Sequence, residues 1–154
     1  MITSATSPAS NTSCLFTSWK FEHAAIRVPE FDTAVAWYFE KLDFRLVQSA
    51  PLGEKMYGWM ISPTVDHSFT IELIAGPGAE DRPAYEDLSS SLRLSGWHHV
   101  GLQVDSVDAA IAELKRRGVI IVSEPHDVAA IGRRVAFFAD PWGNLFELIQ
   151  GIGV

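Results

Sequence analysis

The chain repeats itself. Adding 76 to positions in its first half carries His23 to His99, Ile26 to Leu102, Val28 to Val104, Asp32 to Asp108 and Val35 to Ile111. Further along the offset becomes 75, a one-residue deletion in the second half, and it carries Phe44 to Val119, Leu46 to Ile121 and Glu72 to Glu147. A period this long exceeds a solenoid unit. It describes a duplicated module. Whatever fold the first copy takes, the second must take too, and the two must pack together.

Each copy reads β-α-β-β-β. In WKFEHAAIRV the alternation sets Ala24, Ile26 and Val28 on one face and His23, Ala25 and Arg27 on the other, and Pro29 ends the strand. FDTAVAWYFEKL spaces Phe31, Val35, Tyr38 or Phe39, and Leu42 along one side of a helix. FRLVQSA, MYGWMIS and SFTIELIAG then read as strands, separated by turn-prone PLGEK and PTVDH. In the second copy WHHVGLQV is a strand. DSVDAAIAELKRRG is a helix with Asp105 as its expected N-cap, Lys115 to Arg117 in its last turn and Gly118 beyond it. VIIVS, IGRRVAFFA and NLFELIQ complete it, and Pro141, Gly143 and Asn144 shape a tight turn before the last strand. The expected class is α+β, with a flexible tail at 1–18, a first module at 19–75, a linker at 76–95 and a second module at 96–154. The linker carries at most one helical turn, near Tyr85 to Leu88.

The repeat also aligns polar residues. His23 and His99 open the first strand of each copy, and Glu72 and Glu147 lie in the last. Parity puts all four on the face opposite the helices, because Ile71 and Leu73, and Phe146 and Leu148, take the helix side. A carboxylate in an apolar strand needs a proton, a cation or a metal. A single strand histidine or glutamate is ordinarily a surface or ion-paired residue, with Arg27 and Arg133 as available partners. A matched quartet in a duplicated module is a different case. Imidazole with carboxylate suits one divalent ion among Zn, Ni, Co, Mn and Fe(II). Arg27, Gln103 and Thr70 share the face, and Gln103 and Thr70 are expected to line a substrate pocket there. His98 points away from His99 by the same parity. His67 and His126 fall in turns, and Tyr57 and Trp59 lie on a middle strand.

The net charge of −7 argues against nucleic acid or an anionic membrane as partner. No apolar run approaches a membrane span, and MITSATSPASNTSCLFTS has neither the charged start nor the apolar core of a signal peptide. A single cysteine, Cys14, makes no internal disulfide and fits a reducing, cytoplasmic setting.

These residues resemble the vicinal oxygen chelate superfamily of glyoxalase I, methylmalonyl-CoA epimerase, extradiol dioxygenases, and bleomycin and fosfomycin resistance proteins. The resemblance runs from about Trp19 to Ile149. It is sharpest at His99-Val-Gly-Leu-Gln-Val104 and Asp140-Pro-Trp-Gly-Asn-Leu-Phe-Glu147, with His23-Ala-Ala-Ile-Arg-Val28 and Ile71-Glu-Leu73 in the first copy. It implies a cleft between paired modules, a divalent metal held by His23, Glu72, His99 and Glu147, a small-molecule substrate and a homodimer. The ligand set is that of glyoxalase I. It implies proton transfer on the carbon next to a carbonyl through a metal-stabilised enediolate, with Glu147 as base, Glu72 returning the proton and Arg27 holding an anionic group.

Where the epimerase often has glutamine and the dioxygenases a histidine, this chain has Glu72. Glutathione-dependent members typically follow that glutamate with a stretch containing Asn-Trp-Gly, whereas Leu-Ile-Ala-Gly-Pro-Gly follows here. Two alternatives stand beside the lyase or isomerase reading. One is an Fe(II) extradiol-type dioxygenase with His23, His99 and Glu147 as its triad. The other is a non-catalytic small-molecule binding or resistance protein.

Overall fold

A computed structural model describes residues 16–64 and 69–151 of the chain. Cys14 and His67 lie outside these residues. The first copy comprises β1 (Ala24–Val28), α1 (Phe31–Leu42), β2 (Arg45–Leu52), β3 (Lys55–Ile61) and β4 (Thr70–Ala75). A short helix, α2 (Leu88–Ser91), follows. The second copy comprises β5 (His99–Gln103), α3 (Val107–Arg116), β6 (Ile120–Val128), a 3-10 turn (Ala129–Ile131), β7 (Arg133–Ala139) and β8 (Leu145–Gly151). The two four-stranded sheets have the same order, β1-β4-β3-β2 and β5-β8-β7-β6. In each, the first strand pairs parallel with the last, and the other pairs are antiparallel. The expected α+β pair of β-α-β-β-β modules is the fold observed.

One hydrophobic core spans both copies. Ile26, Val28, Ile71 and Leu73 join Phe146 and Leu148 against Ala34 and Tyr38 of α1 and Val107, Ile111 and Leu114 of α3. Burying one such side chain contributes roughly 1.5–3 kcal/mol. Tyr38 fills the α1 core position, while Phe39 stays exposed beneath the Arg45 guanidinium. Among the described residues no helix is long and apolar enough to cross a membrane.

Two local expectations change. The N-cap of α3 is Ser106, whose Oγ accepts the Ala109 amide at 3.2 Å, and not Asp105. Ser106 has the extended backbone an N-cap requires and lies three residues before that amide. The linker also has more structure than its composition suggests. Its helical turn sits at 88–91, not 85–88, because Asp87 and Ser90 form a reciprocal capping box. Tyr85 and Leu88 then pack on Val135, Phe137 and Leu145, so the segment lies across the second sheet.

The modules are joined at Asp140. Its carboxylate is 1% exposed. It accepts the Trp142 amide at 3.0 Å, the Asn144 amide at 2.7 Å and Asn144 Nδ2 at 2.7 Å, all within its own turn. Its fourth donor is the Tyr38 hydroxyl of α1 at 2.8 Å. Burial pushes the Asp140 carboxyl above its ordinary range, and these donors oppose the shift. A second junction is ionic: Arg117 of the second module binds Asp43 at 2.7 Å and Glu113 at 2.6 Å.

Tyr38→Phe removes the donor from the first module and is expected to cost about 1–3 kcal/mol, read as a lower urea midpoint at unchanged m-value. Glu113 tests the acid side. Hydrogen bonds from Arg116 and then Arg117 hold its carboxyl at about 2 against an ordinary 4.5. A depressed folded pKa gives stability that is present above the unfolded value and lost as pH falls through the folded one. Glu113→Gln is therefore expected to flatten the fall in thermal midpoint between about pH 4.5 and 2. An unchanged slope would remove Glu113 from the acid response.

Candidate metal centre

The site-bearing residues are placed by strand pairing. β1 runs beside β4 with Ala25 opposite Glu72, and β5 runs beside β8 with Gly101 opposite Glu147. A glutamate therefore stands two residues along from the histidine on its neighbour strand, on the same face. Across the other edge Trp59 faces Glu72 and Phe137 faces Glu147. The His99 ring meets Phe137 edge-on, with centroids 5.4 Å apart.

The result is two pairs of the same design. His23 Nε2 lies 3.3 Å from Glu72 Oε2, and His99 Nε2 lies 3.1 Å from Glu147 Oε2. The glutamates are nearly buried, with side chains 13% and 16% exposed, and the histidines are about one-third exposed. The four do not converge in the single chain. Among the described residues no three His, Cys, Asp or Glu side chains gather around one point. A cavity of about 1190 Å³ lies between the modules. His23, His99 and Gln103 line it, but neither glutamate does.

The donor set fits a divalent cation. Ligand bonds of about 2.0–2.2 Å at angles between 90° and tetrahedral set neighbouring ligand atoms roughly 2.8–3.6 Å apart. Both pairs fall inside that interval. Imidazole nitrogen with carboxylate oxygen is the mixture preferred by borderline transition metals.

In each half the other ring nitrogen is tied to the preceding residue. His23 Nδ1 meets the Glu22 carboxylate. His99 Nδ1 lies 2.8 Å from His98 Nδ1, and His98 Nε2 lies 2.8 Å from Ser91 Oγ. Parity had turned His98 away from His99. Its backbone does alternate, but β5 starts only at His99, and the His98 ring folds over its neighbour at 82°. Burial, then the neighbouring His99 and Arg82, push the His98 imidazole below its ordinary range. α2 and His98 carried no sequence signal beyond an unremarkable Ser and a doubled histidine.

Arg27 is engaged differently from the expectation. Its guanidinium donates to the carbonyls of Val28, Ile74, Gly76 and Pro77 at 2.6–2.9 Å. It stitches β1 to the chain leaving β4, and these donors are not turned to a ligand. Gln103 is exposed beside Ile149. Thr70 is half-buried opposite Ile61, two residues before Glu72. Neither touches a ligand-set side chain in the bonds described. His126 is exposed and bonded to the Glu124 carbonyl.

Comparison with known proteins gives a consistent set of likenesses. The family model described as the Glyoxalase/Bleomycin resistance protein/Dioxygenase superfamily matches residues 20–148. The mitochondrial methylmalonyl-CoA epimerase of Homo sapiens is 30% identical over 133 residues, covering 85% of this chain and 73% of the relative. The probable chloroplastic lactoylglutathione lyase of Arabidopsis thaliana is 28% identical over 130 residues, covering 83% and 35%. Glyoxalase I from Zea mays superposes with a TM-score of 0.65 at 25% identity, over 86% of this chain and 44% of that one. A glyoxalase family protein from Enterococcus faecalis shares the fold, with a TM-score of 0.70 at 22% identity over 88% and 99%.

The Arg27 geometry yields a test. Arg27→Ala is expected to lower the urea midpoint by an amount equivalent to about 1.5–3 kcal/mol, because charged hydrogen bonds to carbonyls are lost. Metal affinity should stay within about threefold, since outer partners that matter typically cost tenfold or more. A variant with normal stability and weakened ligand binding would return Arg27 to the substrate.

Proposed function

The chain belongs to the Glyoxalase/Bleomycin resistance protein/Dioxygenase superfamily, whose model matches residues 20–148, and from that premise we propose that it is a divalent-metal-dependent isomerase or lyase. Its reaction moves a proton on the carbon next to a carbonyl. The observation that carries this reading is the repeated pair: a histidine Nε2 and a glutamate Oε2 at ligand-edge spacing, once in each module. The relatives named methylmalonyl-CoA epimerase and lactoylglutathione lyase handle thioesters, whose α-proton is acidified by the carbonyl. We take an acyl thioester as the substrate class. The missing Asn-Trp-Gly stretch after Glu72 favours an epimerase-like reaction over a glutathione-dependent one.

His23, Glu72, His99 and Glu147 would hold the cation, which supplies Lewis-acid stabilisation of negative charge on a carbonyl oxygen. Glu147 takes the α-proton, and Glu72 returns one from the opposite side. Glu147 has the smaller neighbour on the adjoining strand. Gly101 stands beside it, and a methyl group there would approach Ile149 Cδ1 to 3.0 Å and Glu147 Oε2 to 3.7 Å. Ala25 occupies the matching place beside Glu72.

A second copy completes the quartet in this proposal. β1 and β5 each have one unpaired edge. Phe21 and Trp97, each two residues before a ligand histidine, are 68% and 92% exposed. An apolar aromatic surface beside a half-built site is what a homodimer would cover.

The test combines three measurements on the purified protein: metal content, mass in solution, and deuterium exchange at the α-carbon of an acyl thioester such as methylmalonyl-CoA. The expected result is one divalent ion per four-residue site, a dimer, and exchange that falls at least a hundredfold in Glu147→Gln. A protein that holds no metal and exchanges no deuterium, yet still binds the thioester, is a binding protein. Oxygen uptake with a catechol would instead favour the dioxygenase, a chemistry that Glu72 disfavours by taking a fourth coordination position.

A further inference from the structure

The bonds around His98 have a direction that distances alone do not show. Ser91 Oγ has one proton, and it goes to the Leu88 carbonyl at 2.7 Å. Toward His98 Nε2 at 2.8 Å the same oxygen is therefore an acceptor, so His98 carries its proton on Nε2. A neutral imidazole protonated there offers a bare Nδ1, and at pH 7.5 an ordinary imidazole is neutral. His99 must then donate from Nδ1 to His98 Nδ1 at 2.8 Å. What remains is a bare Nε2 on His99, facing the Glu147 carboxylate at 3.1 Å. Two lone pairs at that distance need a positive charge between them, a proton or a metal ion.

We propose that His98 is a positioning residue that locks His99 as its Nδ1–H tautomer with Nε2 free as a metal donor, and that Ser91 of α2 locks His98. The proposal rests on the metal reading above and assigns it a support that the first module lacks. His23 is backed by an exposed carboxylate, Glu22. His99 is backed by a second imidazole, anchored on a helix that the linker lays across the second sheet. The linker thereby belongs to the centre: moving α2 would release the His99 ring. An outer partner of this kind sets the orientation of a ligating histidine, and its loss typically weakens metal binding 10- to 100-fold.

The experiment reads the metal-free protein first. Two-bond ¹H–¹⁵N correlation at pH 7.5 is expected to show His99 protonated at Nδ1 and His98 at Nε2. In His98→Phe, which keeps a ring and loses the acceptor, His99 should become a mixture of tautomers. Its Co²⁺ affinity, measured by chelator competition, should fall 10- to 100-fold. His98→Asn places an amide oxygen near the former Nδ1 and should bring affinity back to within about threefold of wild type. Ser91→Ala should mix the His98 tautomers. Wild-type His99 found as the Nε2–H tautomer would overturn the proposal, as would His98→Phe binding Co²⁺ as tightly as wild type. Should wild type bind no Co²⁺, the metal reading falls, and the tautomer of His99 still decides the positioning role.

Discussion

The fold turns on one buried carboxylate. Asp140 has no contact with solvent to speak of, and four donors surround it. Three shape the turn that aims β8, and so Glu147. The fourth comes from α1 of the other module. An ionised group can stay in such a place only while every lone pair is engaged. The geometry of the turn and the docking of the modules are thus enforced by one desolvation cost. Around it the aromatic rings of Tyr38, Trp37, Trp142 and Phe146 close the junction at centroid spacings of 5.0–6.5 Å.

Much of this was legible in the sequence, for a definite reason. Strand alternation has a period of two, so a histidine and a glutamate on different strands can be assigned to one face without coordinates. The duplication then supplied a check that a single module could not: Phe146 and Leu148 went to the core because Ile71 and Leu73 did. The Asp-Pro-Trp-Gly-Asn turn read correctly because Gly143 sits at φ +78°, where its residue type is needed.

What was not legible depended on side chains that bend away from their parity. Arg27 lies on the expected face, but its long stem carries the guanidinium back to four carbonyls. His98 lies on the other face and its ring turns to His99. The linker misled in another way. Gly, Pro and Ser dominate it, yet Tyr85 and Leu88 are enough to dock it, and Asp87 with Ser90 is enough to coil it. Asp105 and Ser106 are both good N-caps by type, and only backbone geometry chooses between them.

Gly101 carries a further meaning. The two modules differ at this matched position by a single methyl group, alanine beside Glu72 and glycine beside Glu147. Duplication begins with two identical halves and therefore with two equivalent acids. A methyl group present in one copy and absent from the other breaks that equivalence without altering either acid. At Gly101 a methyl group would crowd Ile149 Cδ1 at 3.0 Å and only touch Glu147 Oε2 at 3.7 Å, so the two acids stand in different surroundings and a centre built from repeated halves is not symmetric.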